Sequence, residues 1–135
     1  MVTHMGQAPR DHVVLTLNAT FDLVRIGPDG VRDPNPFKVP LNNVLVVTDV
    51  DWQINPPMVG IPNFHTLRMS IVNLATNETN TVFESSATLN DLRQGGINVE
   101  MTSGIVVSSK AKIKVEPPSI ATGYSVIIRG YLTRE

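Results

Sequence analysis

The feature that most constrains this chain is how often glycine and proline interrupt short runs of β-branched residues. Its 135 residues include 10 prolines and 9 glycines, and no segment keeps an apolar period of 3.6 residues for three turns. Because βαβ units need helical segments between their strands, this pattern indicates antiparallel strands joined by turns. The sequence therefore predicts an all-β fold built from roughly eight to ten short strands.

The predicted strands are apolar on one face or on both, and turn signals separate them. They are His12–Leu17, Ala19–Ile26, Phe37–Pro40, Val44–Gln53, His65–Thr76, Thr81–Leu89, Ile97–Met101, Gly104–Ser109, Lys110–Glu116 and Tyr124–Thr133. The turn at Asn77–Asn80 joins two of these strands into a hairpin. Leu89–Gly96 predicts a single helical turn that the glycines at its end would close.

This strand spacing favours an antiparallel β-sandwich of jelly-roll-like type, and an immunoglobulin-like sandwich is the alternative. A single domain over residues 1–135 suits the length, with residues 1–11 as an N-terminal extension or arm. In architecture alone, the pattern resembles the compact jelly-roll modules that build trimers, such as those of the tumour-necrosis-factor and C1q kind and those of virion proteins. The resemblance implies a homotrimer and transfers no individual residue.

Composition and charge argue against several classes of function. The net charge is −1, so no basic excess favours binding to the phosphates of DNA or RNA. The absence of cysteine excludes disulfides, thiol catalysis and thiolate metal sites. No apolar run approaches the roughly 20 residues that cross a bilayer, and the N-terminus lacks the apolar segment of a signal peptide. We expect neither nucleic-acid binding nor membrane insertion, and the localisation stays open, with secreted and virion-associated settings both compatible.

Two segments carry apolar residues on both faces of their predicted strands, namely Val44–Val50 and Tyr124–Leu132. Such a strand in a small sandwich needs cover on its second side, either from a loop or from another subunit. Lys110–Glu116 behaves differently, because its lysines alternate with apolar residues and indicate a solvated face or a guarded edge. The doubly apolar strands predict a homo-oligomer.

Asp49 and Asp51 form the most conspicuous polar pattern, and they follow a dense apolar run. Strand alternation places both on one face, the face of Leu45 and Val47, about 6.5–7 Å apart along the backbone. Such a pair makes a weak calcium candidate, or an acid–base pair. The favoured interpretation is that the strand leaves the core at Asp49 and that Trp52 packs under the following proline-rich loop.

Trp52 and Phe64 stand at the two ends of that loop, Ile54–Asn63. If both rings are exposed, they predict a patch for a carbohydrate or another surface ligand, joined by Asp49 and Asp51. If both rings are buried, they are core residues, which is the commoner role of large aromatic side chains.

Catalytic signatures are weak. The three histidines form no close pair with zinc-ligand spacing, and no Gly-x-Ser-x-Gly elbow is present. The function predicted first is a non-catalytic structural or assembly module without a cofactor. A carbohydrate- or surface-ligand-binding module is the alternative, and a cupin-like or hydrolase enzyme is the third hypothesis.

Overall fold

The computed structural model describes residues 11–54, 64–88, 95–116 and 124–135. Its strands are β1 (His12–Leu17), β2 (Leu23–Arg25), β3 (Asn43–Ile54), β4 (Phe64–Asn73), β5 (Thr79–Thr88), β6 (Gly95–Ser108), β7 (Ala111–Glu116) and β8 (Tyr124–Arg134). The predicted N-terminal arm, apart from Asp11, and most of the predicted helical turn lie outside these residues. No helix in the described ranges is long and apolar enough to span a membrane.

The strands pair antiparallel and form two sheets, one of five strands in the order β2-β1-β8-β3-β6 and one of three in the order β5-β4-β7. Side chains from both sheets meet in one apolar core, whose largest fully buried members include Trp52, Leu15, Leu45, Ile54, Leu67, Met69 and Ile128. Two antiparallel sheets packed over a shared core form a β-sandwich. The predicted sandwich is confirmed, and its jelly-roll-like subdivision stays a prediction.

β7 shows how closely residue alternation predicted the faces of a strand. Val115 is buried in the core, whereas Lys112 and Lys114 are exposed on the opposite face of the three-stranded sheet. Because successive strand residues point to opposite sides, the apolar positions pack inward and the lysines meet water. The predicted one-sided burial of this segment is therefore confirmed.

β6 differs from its prediction, because one strand replaces two predicted strands. It begins at Gly95 and Gly96, which pair with Ile54 and Gln53 of β3. The interpretation of these glycines as a helix C-cap is therefore wrong. A Cβ atom on Gly96 would lie 2.7 Å from the carbonyl oxygen of Trp52, so close contact with β3 is the physical reason for glycine there.

β2 is shorter than predicted because a local turn takes up the first half of its segment. The side-chain oxygen of Asn18 accepts hydrogen bonds from the backbone N–H groups of Thr20 and Asp22. Asparagine often captures its own chain in this way and thereby competes with strand pairing. The strand is therefore limited to Leu23–Arg25, and the backbone N–H of Ile26 adds one further hydrogen bond to the carbonyl oxygen of Val14 on β1.

The predicted strand at Phe37–Pro40 is not a strand, although its alternation is preserved. Val39 is buried, Phe37 packs against the core, and the backbone N–H of Phe37 donates to the carbonyl oxygen of Leu23 at 2.8 Å. Pro36 and Pro40 flank the segment and have no N–H to donate to a ladder. The segment therefore covers the core without joining a sheet.

Candidate functional site

A β-bulge in β3 decides which side chains face the core. The pairing of β3 with both of its neighbours shifts register between Val47 and Asp49. Leu45 and Val47 point into the core before the shift, whereas Val50 and Trp52 do so after it. The extra residue in a bulge reverses the alternation of the strand that contains it. Asp49 and Asp51 therefore lie on the outer face of the five-stranded sheet, opposite to the face of Leu45 and Val47.

The expectation that the strand leaves the core at Asp49 is wrong. Val50, Trp52 and Ile54 are all within 1% of complete burial, so β3 stays in the core to its last residue. The bulge keeps the apolar positions inside and directs the two carboxylates outside.

Glycines on both neighbouring strands accommodate the bulge. On β8, a Cβ atom added to Gly130 would overlap the carbonyl oxygen of Val46. On β6, Gly104 has a φ of +78°, and an added Cβ would lie 2.8 Å from the carbonyl oxygen of Val47. A side chain at either position would push its strand away from β3. The bulge and the two glycines therefore form one structural unit.

Both carboxylate oxygens of Asp49 are bound by neighbouring strands. The side-chain amide of Asn98 on β6 donates to Oδ1 at 2.6 Å, and the guanidinium of Arg129 on β8 donates to Oδ2. The Asp49 side chain is only 16% exposed, so the ion pair is partly desolvated. A charge-assisted pair of this kind ties β6, β3 and β8 together across the sheet.

Asp51 lies on the same outer face, in register with Asn98 and Ile127. In the described ranges, no group of three or more His, Cys, Asp or Glu side chains is placed to hold a metal ion. Arg129 supplies the positive charge nearest to Asp49 in this structure. The calcium role of Asp49 and Asp51 stays a prediction, and the contacts of Asp49 favour a structural ion pair with Arg129.

Trp52 lies at the centre of the core and has 1% of its surface exposed. Its indole Nε1 donates to the hydroxyl of Ser85 on β5 at 2.9 Å, which links the two sheets. The backbone of Phe64 begins β4, and its side chain lies outside the described part of the chain. The aromatic ligand patch stays a prediction, and the position of Trp52 does not support it, because a buried ring offers no stacking surface.

His65 and Tyr124 carry polar side-chain atoms that are buried, a feature that sequence reasoning did not predict. His65 has 2% of its surface exposed, and among the described residues neither of its imidazole nitrogens has a hydrogen-bond partner; the buried hydroxyl of Tyr124 also lacks one there. His65 alternates with Leu67 and Met69, which both point into the core, and this spacing was the available signal. A buried polar atom without a hydrogen bond lowers the free energy of unfolding. The fold is therefore less stable than it would be if the His65 imidazole and the Tyr124 hydroxyl had partners.

We expect Tyr124 to make the fold sensitive to alkali. Burial raises the pKa of its hydroxyl above the ordinary value of about 10. The unfolded chain therefore loses this proton first, so the free energy of unfolding falls as the pH rises above about 10. Tyr124→Phe should flatten the alkaline loss of stability, measured as urea midpoints between pH 8 and pH 11.

The same variant should be neutral or slightly stabilising at pH 7, because it removes a buried hydroxyl that has no hydrogen-bond partner in the described part of the chain. Tyr131→Phe on the outer face serves as the control for removing a phenol. An alkaline loss of stability in Tyr124→Phe as steep as that of the unmodified chain would contradict this account of burial.

The outer face of the five-stranded sheet carries a cluster of apolar side chains that does not belong to the core. The strand register brings Val46, Tyr131 and Val106 into one row across β3, β8 and β6. Val106 is 55% exposed, whereas Val46 is only 7% exposed and is already covered within the chain. The complete set, here called the outer patch, also contains four half-buried residues, Val14, Val44, Ile127 and Tyr131. Apolar side chains gathered on one sheet face are typical of an interaction surface.

The outer face of the three-stranded sheet has the opposite character. Arg68 lies between Glu84 and Glu116 in the register of the three strands, and it forms a 3.5 Å ion pair with Glu84. Lys112 and Lys114 occupy the next rows of this face. Charged side chains of this kind stay hydrated, so the two outer faces of the sandwich differ in the partners they can accept.

Removing the Asp49 ion pair should cost more than removing the exposed pair on the other sheet. We expect a double-mutant cycle with Asp49→Ala and Arg129→Ala to give a coupling of about 1–2 kcal/mol, because Asp49 is mostly buried. The matched cycle with Arg68→Ala and Glu84→Ala should give less than about 0.5 kcal/mol, because both side chains are about half exposed. Equal couplings in urea denaturation would show that Asp49 has no special role.

Comparisons with known proteins give no evidence for function, so the argument for function depends on the geometry described above. No family model matches the chain, and the search of curated proteins found no significant match.

Proposed function

We propose that the chain is a non-catalytic assembly module whose outer patch packs against a second copy. The observation that carries the proposal is the row formed by Val106, Val46 and Tyr131, which turns its apolar side chains away from the core. The sequence predicted homo-oligomerisation from the same two segments, because β3 and β8 are apolar on both faces.

The contrast between the two outer faces supports this choice of surface. Arg68, Glu84 and the lysines of β7 make the three-stranded face costly to dehydrate, since charged groups lose hydration when they are buried. The outer patch has β-branched and aromatic side chains instead, and burying the area that they still expose, most of all on Val106, is favourable at about 25 cal/mol per Å².

The size of the face is compatible with a stable contact. β8, β3 and β6 have 11, 12 and 14 residues and lie side by side. With strands about 4.8 Å apart and a rise of about 3.3 Å per residue, they form a surface of about 500 Å² before β1 and β2 are added. Because side chains project from the sheet, its accessible area is larger than this flat area. A standard interface buries about 800 Å² on each partner.

The ion pair beside the outer patch is compatible with burial in an assembly. Asp49 already accepts from Asn98 and Arg129 within its own chain, so covering it leaves no unpaired carboxylate oxygen. Burying a charge is tolerable when its hydrogen bonds are satisfied and costly when they are not. The polar group therefore does not oppose contact by its apolar neighbours.

Ile127→Lys tests the proposal, because Ile127 lies on β8 in the interior of the sheet and not at an edge. The new ammonium group would stand in register beside Asp51, so the folded chain should tolerate it. We expect the variant to weaken self-association at least tenfold in light scattering over a concentration series. The matched control is Val82→Lys, which places the same charge at a 42% exposed valine on β5.

The circular dichroism spectrum and the thermal midpoint of each variant separate assembly from folding. Loss of the oligomer in Ile127→Lys with an unchanged fold would support the outer patch as the contact. An oligomer that survives Ile127→Lys but dissociates in Val82→Lys would place the contact on the other sheet.

A further inference from the structure

Phe21 has a backbone conformation that does not suit its side chain. In the described ranges, three non-glycine residues have a positive φ, namely Phe21 at +64°, Asn42 at +64° and Asn77 at +60°. Asparagine tolerates this left-handed region, whereas a bulky side chain there is strained. A turn needs only glycine or asparagine at such a position, so the turn itself does not account for a phenylalanine.

The ring of Phe21 is supported from one side and still meets solvent. It stacks on the ring of Tyr124, with the two centroids 6.4 Å apart and 13° between the ring planes. Tyr124 begins β8 and packs against the core, so it provides a firm support. Phe21 nevertheless remains 49% exposed. It therefore offers the exposed stacking surface that the buried Trp52 lacks.

Hydrogen bonds hold the loop that carries this ring, residues 18–22 between β1 and β2. The backbone N–H of Asn18 donates to the carbonyl oxygen of Asp22 at 2.9 Å, and the N–H of Phe21 donates to the carbonyl oxygen of Asn18 at 3.1 Å. The hydroxyl of Thr20 lies 2.9 Å from Oδ1 of Asn18 and 3.0 Å from Oδ2 of Asp22. A loop that is ordered in advance binds a ligand at a lower entropic cost.

Two polar groups of the same loop remain free for a ligand. Asn18 uses its Oδ1 within the loop, but in the described part of the chain neither its Nδ2 nor Oδ1 of Asp22 has a hydrogen-bond partner. The loop thus combines an amide donor and a carboxylate acceptor with one apolar ring. This set suits a neutral ligand that has an apolar face and hydroxyl groups around it. The charge of Asp22 disfavours an anionic ligand.

We infer that this loop binds a neutral carbohydrate, with one pyranose ring stacked on the exposed part of Phe21. The electron-rich face of an aromatic ring attracts the polarised C–H groups on the flat face of a pyranose. The sugar hydroxyls accept from the amide of Asn18 and donate to the carboxylate of Asp22. Contact with a ligand accounts for the strained phenylalanine, since strained residues cluster at ligand sites.

Calorimetric titration with soluble neutral oligosaccharides tests this site, and the probes end in glucose, galactose, mannose or N-acetylglucosamine. We expect at least one probe to bind the unmodified chain with a dissociation constant below about 1 mM. Phe21→Asn should weaken that binding about tenfold or more, because it removes the ring and keeps a residue that tolerates a positive φ. Phe21→Tyr keeps the ring and should bind within about threefold of the unmodified chain.

Two further variants separate binding from folding. Asp22→Asn keeps the ring and the shape of the loop, and it should weaken binding about threefold or more, because it removes the charged acceptor. Leu41→Asn is the matched control, since it places the same residue at a 79% exposed leucine and should leave binding unchanged. Urea midpoints measured for each variant show whether a loss of binding reflects a loss of the fold.

This inference goes beyond the assembly proposal and does not depend on it, because no residue of the outer patch belongs to residues 18–22. Ile127→Lys should therefore bind the same oligosaccharide with unchanged affinity, whatever its effect on self-association. Failure of all four probes to bind at millimolar concentration would overturn the carbohydrate site. Equal binding by the unmodified chain, Phe21→Asn and Asp22→Asn would also overturn it.

Discussion

Gly130→Ala should destabilise the fold by about 3 kcal/mol, because the added methyl group has no room beside the β3 bulge. The Cβ atom would overlap the carbonyl oxygen of Val46 and would lie 3.1 Å from the Cα atom of Val47. Both contacts are with backbone, which cannot rotate away as a side chain can. We expect the urea midpoint to fall sharply, with β8 displaced from β3.

Gly30→Ala is the matched control for this variant. Gly30 has a φ of +82° but nothing within 4 Å of an added Cβ atom, so alanine there meets only the conformational penalty. That penalty is about 1 kcal/mol. If Gly130→Ala costs no more than Gly30→Ala, then β8 does not approach the bulge as closely as the structure indicates.

Trp52→Ala should cost about 3–5 kcal/mol, because it removes the largest fully buried side chain from the centre of the core. The substitution leaves a cavity between the sheets and removes the hydrogen bond to Ser85. Chemical denaturation followed by far-UV circular dichroism measures the loss, since the variant has no tryptophan fluorescence.

Two further variants divide the effect of Trp52 into packing and hydrogen bonding. Trp52→Phe keeps most of the apolar volume and should cost about half as much as Trp52→Ala. Ser85→Ala removes only the acceptor of the indole N–H and should cost about 1–2 kcal/mol. A nearly neutral Trp52→Ala would contradict the core position and would restore the ligand-binding role predicted for this residue.

The sequence predicted the sandwich because alternation and turn signals are local. β1 matches its predicted bounds, and β7 has the predicted burial of alternate residues. The direction of Asp49 was predicted wrongly relative to Leu45, because a bulge depends on the register with neighbouring strands and leaves regular alternation in the sequence unbroken. One signal was available: a lone glycine in a β-branched strand, such as Gly130, often marks a close backbone approach.

The partners of Asp49 lay beyond sequence reasoning. Asn98 and Arg129 are 49 and 80 positions away along the chain, and only the pairing of three strands brings them to one carboxylate. The burial of Trp52 was weighed from its residue type, but its hydrogen bond to Ser85 depends on how the two sheets are superposed. Contacts between distant strands and between sheets have no local signature in sequence. The predicted surroundings of Asp49 and Trp52 therefore differ most from those in the structure.

The apolar outer face was the more predictable part of the functional argument. Val44–Val50 and Tyr124–Leu132 indicated cover on a second side, and the structure places Val46, Ile127 and Tyr131 on the outer side of neighbouring strands.

Light scattering of the purified chain over a concentration series, with calcium and with a chelator, tests the central claim most directly. The assembly proposal predicts an oligomer at micromolar concentration that is indifferent to calcium and that dissociates in Ile127→Lys. A monomer at every concentration, stabilised by calcium through Asp49 and Asp51, would contradict it and would make the two carboxylates a cation site.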